Sequence, residues 1–147
     1  RSYRAYIDWT PTPRVAAKLA YQLVEFEGAA TTSDLVPNAT TEHIAEAGLR
    51  FFDPSGFFSH VDIKYTNQRT IWPQGFGEPP AFQNEFVIVN VGIGYRLPKR
   101  FGILRLEVKN LFDEKFNFQS FGLREIAENN QPFEPDRTIL AVFTAAW

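Results

Sequence analysis

The chain has 147 residues, which is enough for one domain with a sizeable core. Its 15 Lys and Arg nearly balance its 17 Asp and Glu, so no basic surface predicts a nucleic-acid partner. It contains no Cys, which excludes disulfides, thiolate metal sites and cysteine nucleophiles.

Apolar and polar residues alternate through most of the chain, which is the pattern of β-strands with two different faces. No apolar run reaches 18 residues, so no segment has the pattern of a transmembrane helix. The alternation predicts seven strands, in chain order Tyr3–Trp9, Val15–Leu23, Ala45–Phe51, Val61–Tyr65, Val87–Tyr95, Leu104–Val108 and Ile139–Trp147.

The predicted connections alternate between short and long. The short ones are rich in turn residues and lie at Thr10–Arg14, Asp53–Gly56 and Pro98–Arg100. The long ones contain TTSDLVPNATT, PQGFGEPP and REIAENNQPFEP. Outer-membrane barrels have short periplasmic turns and longer extracellular loops. We therefore predict an all-β fold, an antiparallel transmembrane β-barrel, over the soluble β-sandwich that the same alternation also allows.

The two faces of the predicted strands differ in charge. One face is aliphatic, and the other carries charges that in a barrel would face the lumen, namely Lys18, Glu46, Arg50, Asp62, Lys64, Arg105, Glu107 and Lys109. Gly92 and Gly94 belong to that polar face, where glycine leaves room for large neighbouring side chains or for a plug.

Aromatic residues gather toward the ends of the predicted strands. A membrane-interface girdle beside the short turns would contain Trp9, Phe51, Phe57, Tyr95 and Trp147. A second belt toward the long connections would contain Phe26, Tyr65, Trp72, Phe82 and Phe112. Two belts separated by aliphatic residues favour the barrel, because a soluble core would place its large aromatics at strand centres.

No group of residues predicts catalysis or a metal site. His60 and Asp62 share a strand face, but two ligands are too few for a metal centre. The mid-strand carboxylates alternate with Lys and Arg, so a ladder of cross-strand ion pairs explains them better than catalysis. We predict that the protein is not an enzyme and needs no cofactor.

The stretch LRLEVKNLFDEKF resembles the penultimate-strand signature of TonB-dependent outer-membrane receptors, at Val108, Asn110, Leu111, Phe112, Asp113 and Phe116. In that signature Asn110 and Asp113 are expected to bond the backbone and end the strand. Pro135, Asp136, Arg137 and TILAVFTAAW similarly resemble the start and course of the family's last strand. The chain ends in Trp147 where the family usually has Phe.

The resemblance implies that residues 1–147 are the C-terminal part of one barrel domain, about seven strands of a barrel of about 22. The upstream strands and any plug domain would lie outside this sequence. An alternative interpretation adds FNFQSF as an eighth strand and closes a small barrel.

The implied function is uptake of a metal chelate or another scarce nutrient across the bacterial outer membrane. The implied partners are outer-membrane lipid and lipopolysaccharide, the barrel-assembly machinery at the C-terminal strand, and TonB through an upstream segment. Ligand contact is expected in the long loops, at Trp72, Phe76 and Phe82. The alternatives are a passive or export pore without a plug and, less favoured, a soluble β-sandwich binding module.

Overall fold

The computed structural model describes residues 1–28, 38–71, 81–116 and 136–145, except for the side chains of Phe82 and Arg100. Within these ranges the chain forms seven β-strands and one 3₁₀ turn. The elements are β1 Ser2–Thr12, β2 Val15–Glu27, β3 Ala39–Phe52, β4 Phe57–Ile71, β5 Ala81–Arg96, the turn Pro98–Arg100, β6 Gly102–Lys109 and β7 Thr138–Ala145.

The seven strands form one antiparallel sheet in the order of the chain, from β1 at one edge to β7 at the other. The prediction of an all-β, antiparallel fold of seven strands is therefore confirmed. The described strands do not close into a barrel, since β1 and β7 each pair with one neighbour only. Most of the proposed eighth strand, residues 117–121, lies outside the described residues.

Four strands extend farther toward the long connections than the alternation predicts, and the first of them is β2, which continues to Glu27. β3 begins at Ala39, β4 continues to Ile71, and β5 begins at Ala81. Phe82 was predicted in a loop, but it lies in β5 and pairs with Thr70. The apolar alternation stops before these ends, whereas the backbone ladder continues because it needs no apolar side chain.

The short turns lie where the sequence places them, although the first is tighter than predicted. β1 continues to Thr12, which leaves only Pro13 and Arg14 between β1 and β2. In the next turn, Asp53 accepts a 2.9 Å hydrogen bond from the backbone N–H of Ser55. A hydrogen bond from the Ser55 side chain, and next this backbone bond, lower the pKa of the Asp53 carboxyl. Gly56 supplies the positive φ of 100° that closes the turn.

The register aligns the alternating apolar residues predicted for one face of each strand on one side of the sheet, which we call the apolar face. Val61, Val91, Val108 and Ile139 form one continuous row across β4 to β7. A parallel row crosses β1 to β5 through Ile7, Leu19, Ala47, Ile63 and Val89. The single-face arrangement predicted from alternation is thereby confirmed.

No second layer covers the apolar face in the described part of the chain. Among the described residues Phe86 is the one buried hydrophobic side chain, at 3% exposure, and it lies on the opposite side of the sheet, where it pairs with Thr66. Ile7 and Ile139, by contrast, are each 67% exposed, and Leu19 is 59% exposed. A soluble sandwich buries such residues between two sheets. The described strands instead form one sheet whose apolar side is open.

Candidate functional site: the charged face of the sheet

All eight residues predicted to face a lumen share the side of the sheet opposite the apolar face, which we call the charged face. Their register explains this, because Lys18 pairs with Gly48, Gly48 with Asp62, and Glu46 with Lys64. Farther along the sheet, Glu107 pairs with Gly92 and Arg105 with Gly94. The sequence therefore predicted correctly which residues share this face, and their contact with a lumen stays a prediction.

Ion pairs between Lys or Arg and carboxylates lie on the charged face of the described strands. Lys18 Nζ lies 3.9 Å from Glu46 Oε2 between β2 and β3. Arg50 Nη2 lies 3.4 Å from Asp62 Oδ1 between β3 and β4, and it donates a hydrogen bond to that oxygen. Arg105 Nε lies 3.1 Å from Glu107 Oε1 within β6. Most of these side chains are more than one-third exposed, so each pair contributes only about 0–1 kcal/mol.

Glycines on the charged face make room for the side chains of neighbouring strands. The His60 ring lies where a Cβ on Gly92 would stand, and the Phe58 ring does the same at Gly94. A Cβ on Gly48 would stand 2.7 Å from Asp62 Oδ1. The prediction that Gly92 and Gly94 accommodate large neighbouring side chains is thus confirmed.

These side chains border an open pocket of about 470 Å³ on the charged face. Its cations come from Arg50, Arg105 and Lys109, and its carboxylates come from Asp62 and Glu107. Its other lining includes His60, Asn90 and the Phe58 ring. The pocket presents hydrogen-bond donors and acceptors around a partly aromatic wall, with one more cation than carboxylates when His60 is neutral.

The two histidines lie on opposite faces and cannot share a ligand. His60 Nε2 lies 3.8 Å from Asp62 Oδ2 on the charged face. His43 lies on the apolar side, where its Nδ1 is 2.7 Å from the Tyr21 hydroxyl. Among the described residues, no three His, Cys, Asp or Glu side chains are grouped closely enough to hold a metal ion.

A group of polar residues toward the long-connection ends of the strands is buried, and the alternation of the sequence did not predict their burial. These residues are at most 4% exposed, and they are Thr40, Glu42, Thr66, Gln68, Thr70 and Asn110. All but Asn110 lie on β3 and β4, at even positions shared with the charged face. Their residue types are Thr, Glu, Gln and Asn, which give no hydrophobic period, and only the β-branched Thr is typical of strands.

The apolar face is bounded by aromatic residues at both ends. Trp9, Phe51, Phe57 and Tyr95 lie beside the short turns with 38–64% exposure, as the girdle prediction requires. Toward the long connections the corresponding residues are Tyr21 and Tyr65, which pair with Ala45 from either side. The predicted locations of Trp9, Phe51, Phe57, Tyr95 and Tyr65 agree with the structure, whereas Tyr21 was not predicted in a belt and contact with a membrane stays a prediction.

Part of the second belt was predicted wrongly. Phe26 pairs with Thr40 at an even position of β2, so it belongs to the charged face. Phe112, by contrast, is 71% exposed in the turn after β6, at the strand end where it was predicted, and its contact with a membrane stays a prediction. Trp72, Phe76 and Trp147 lie outside the described residues, so their predicted roles stay predictions.

No protein-family model, curated protein or solved structure matches this chain. The resemblance of the NLFD region to TonB-dependent receptors therefore stays a prediction from the sequence. Among the described residues, no helix is long and apolar enough to cross a membrane.

Proposed function

We propose that this chain forms part of the wall of a β-barrel in the bacterial outer membrane. In this proposal the apolar face contacts lipid, and the charged face lines the lumen of a larger barrel of about 22 strands. The barrel takes up a scarce nutrient such as a metal chelate, in the manner of TonB-dependent receptors. The resemblance at Val108–Phe116 supports this choice of transport class.

The observation that carries the proposal is an uncovered apolar face on a single-layer sheet. Soluble proteins rarely expose a contiguous apolar patch of more than a few hundred Å². Here the open patch crosses all seven strands, from Ile7 on β1 to Ile139 on β7. Lipid is the environment that covers such a surface without a second protein layer.

The height of the apolar face supports the same environment. On β4 it extends from Phe57 to Tyr65, and on β5 from Val87 to Tyr95. These lengths of about nine residues equal what a tilted strand needs to cross the hydrocarbon layer. Shallow apolar grooves of about 370 and 420 Å³ on this face offer space for acyl chains.

The apolar face also ends where a membrane would end. Above Tyr65 on the same side of β4 stand Asn67 and Arg69, which pair with Glu85 and Gln83 on β5. The Tyr65 hydroxyl accepts a 3.4 Å hydrogen bond from Asn67 Nδ2, so its polar end points toward these residues. Tyrosines with one apolar end and one wet end are typical of membrane interfaces.

A passive or export pore is the second candidate, because the same wall serves a barrel without a plug. The open, mixed-charge pocket of the charged face favours neither, since water or a plug would satisfy its groups. A soluble sandwich is disfavoured by the single layer of the described sheet.

The test is reconstitution of the full-length protein into lipid vesicles and planar bilayers. We expect it to resist extraction by carbonate and to show low resting conductance, as a plugged barrel would. A constitutively open conductance would select the passive pore. A protein that stays monomeric in detergent-free buffer would overturn both barrel proposals.

A further inference from the structure

The last strand, β7, is apolar on both of its faces. On the charged face Leu140 pairs with Glu107, and Val142 pairs with Arg105. The apolar face receives Ile139, Ala141 and Phe143. A slip of one residue turns every side chain to the other face of a strand. In β7 such a slip would bring Leu140 and Val142 to the apolar face, with Thr138 and Thr144 at the strand ends, so hydrophobicity selects the observed register only weakly.

The connection before β7 does not select the register either. In a hairpin the turn type and loop length set the pairing of the two strands. Residues 110–137 separate β6 from β7, which is far longer than a hairpin loop. β7 is also an edge strand of the described sheet and pairs only with β6. Its alignment needs a local contact near its start.

A compact turn directly after β6 supplies a rigid base for such a contact. Asn110 has a φ of 50° and is only 4% exposed. Its Nδ2 donates a 3.0 Å hydrogen bond to the carbonyl of Glu114, and its Oδ1 accepts a 2.9 Å bond from the Glu114 N–H. Its own N–H donates to Asn90 Oδ1 on β5 at 2.9 Å. The predicted side-chain-to-backbone bonding of Asn110 is confirmed.

Asp113 joins this turn to the start of β7. It has a φ of 56°, and its N–H donates a 2.9 Å hydrogen bond to the Asn110 carbonyl. Its Oδ1 accepts a 2.9 Å bond from the N–H of Arg137, the residue before β7. The Lys115 ammonium lies 3.6 Å from Asp113 Oδ2 and also contacts Asp136.

We propose that the Asn110–Asp113 turn is a register clamp for β7. The hydrogen bonds of Asn110 to Asn90 and Glu114 fix the turn to β5 and to the residues that follow. The Asp113 carboxylate accepts the N–H of Arg137, which fixes the position of Arg137 relative to the end of β6. That hydrogen bond places Thr138 opposite Lys109 and thereby determines every later pair of the β6–β7 ladder. Lys115 reinforces the contact by holding Asp113 and Asp136 together. The clamp stands independently of any transport function.

Cysteine cross-linking in the full chain tests the clamp directly, because the native sequence contains no Cys. Leu106→Cys with Ala141→Cys reports the observed register. Leu106→Cys with Leu140→Cys or Val142→Cys reports a slip of one residue in either direction. Directly paired residues of antiparallel strands have the Cα separation that a disulfide requires.

We expect Asp113→Ala to lower the ratio of native to slipped cross-links by about tenfold or more, as loss of a hydrogen bond to a charged group shifts an equilibrium. Asp113→Asn should restore most of the native ratio, because its amide oxygen still accepts the Arg137 N–H although the ion pair with Lys115 is lost. Glu114→Ala, on the same turn, should leave the ratio unchanged. The clamp would be overturned if Asp113→Ala kept the native chain's ratio of native to slipped cross-links. It would also be overturned if Glu114→Ala lowered this ratio as much as Asp113→Ala does.

Lys115→Ala covers the case in which Asp113→Ala does not fold. It removes the two ion pairs and leaves the Asp113–Arg137 hydrogen bond in place. We expect Lys115→Ala to increase slipped cross-links, but by less than Asp113→Ala does. If neither Lys115→Ala nor Asp113→Ala increases slipped cross-links, the register is set elsewhere and the proposal fails.

Discussion

The His60 ring on β4 occupies the space above Gly92 on β5, at the point where the two strands pair directly. This relationship ties two neighbouring strands together without an ion pair. It also turns the imidazole sideways over the sheet, so its Nε2 approaches Asp62 at 3.8 Å. The packing of the charged face therefore requires glycine at position 92 as well as the His60 ring.

Adding a methyl group at position 92 should therefore destabilise the sheet. Gly92→Ala would place a Cβ inside the His60 ring position, and such overpacking typically costs about 1–3 kcal/mol. The midpoint of denaturant unfolding in detergent measures the loss. The double variant Gly92→Ala/His60→Ala should recover most of it, because the ring is gone. Equal instability of the single and double variants would refute this account.

Adjacent residues on β2 test the assignment of the two faces. Leu19 lies on the apolar face, and Ala20 lies on the charged face opposite Glu46. Leu19→Lys should cost about 2–4 kcal/mol if that face contacts lipid near the midplane of the bilayer. Ala20→Lys should cost much less, because its ammonium would meet water and the Glu46 carboxylate. Folding yield and stability in lipid vesicles distinguish the two variants, and similar losses in both would contradict lipid contact.

Acid should weaken the contact between Asp113 and the start of β7. The Arg137 N–H bond and the nearby Lys115 lower the pKa of the Asp113 carboxyl. A lowered folded-state pKa gives stability that is present above the unfolded value of about 3.9 and is lost as pH falls through the folded value. Asp113→Asn should therefore unfold with less pH dependence than the native chain below about pH 4. Identical acid profiles would contradict this linkage.

Lys115 should act at the opposite end of the pH scale. Its hydrogen bond to Asp136, together with the charge of Asp113, raises the pKa of the ammonium. The stability that this shift contributes is fully present below the unfolded pKa of about 10.4 and is lost as pH rises through the folded value. Lys115→Met should remove that alkaline loss, as measured by unfolding midpoints from neutral pH upward. An unchanged alkaline profile would show that Lys115 is not linked to folding.

The ion pairs of the charged face should matter little for stability. Arg50→Ala would remove the 3.4 Å contact with Asp62, but both side chains are more than one-third exposed. The expected loss is below about 1 kcal/mol. If the charged face lines a lumen, Arg50→Ala should nevertheless change the ion selectivity of the barrel in planar bilayers. A large stability loss with unchanged selectivity would mean that Arg50 has a structural role instead.

The sequence by itself determined the number of strands, their antiparallel succession and the membership of the two faces. It could do so because side chains alternate strictly along a strand, so Leu104, Leu106 and Val108 must share a face that excludes Arg105 and Glu107. The short turns followed from local chemistry, as at Asp53, whose side chain bonds the backbone two residues away.

Only the tertiary structure decided where the strands end and how the last one is aligned. Residues 66–70 of β4 are polar on both faces, yet the strand continues to Ile71. It does so because the backbone hydrogen bonds between strands form whatever the polarity of the side chains. The alignment of β7 depends on Asp113 meeting the N–H of Arg137, residues far apart along the chain. Hydrophobic alternation carries no information about such a contact, because β7 is apolar on both faces.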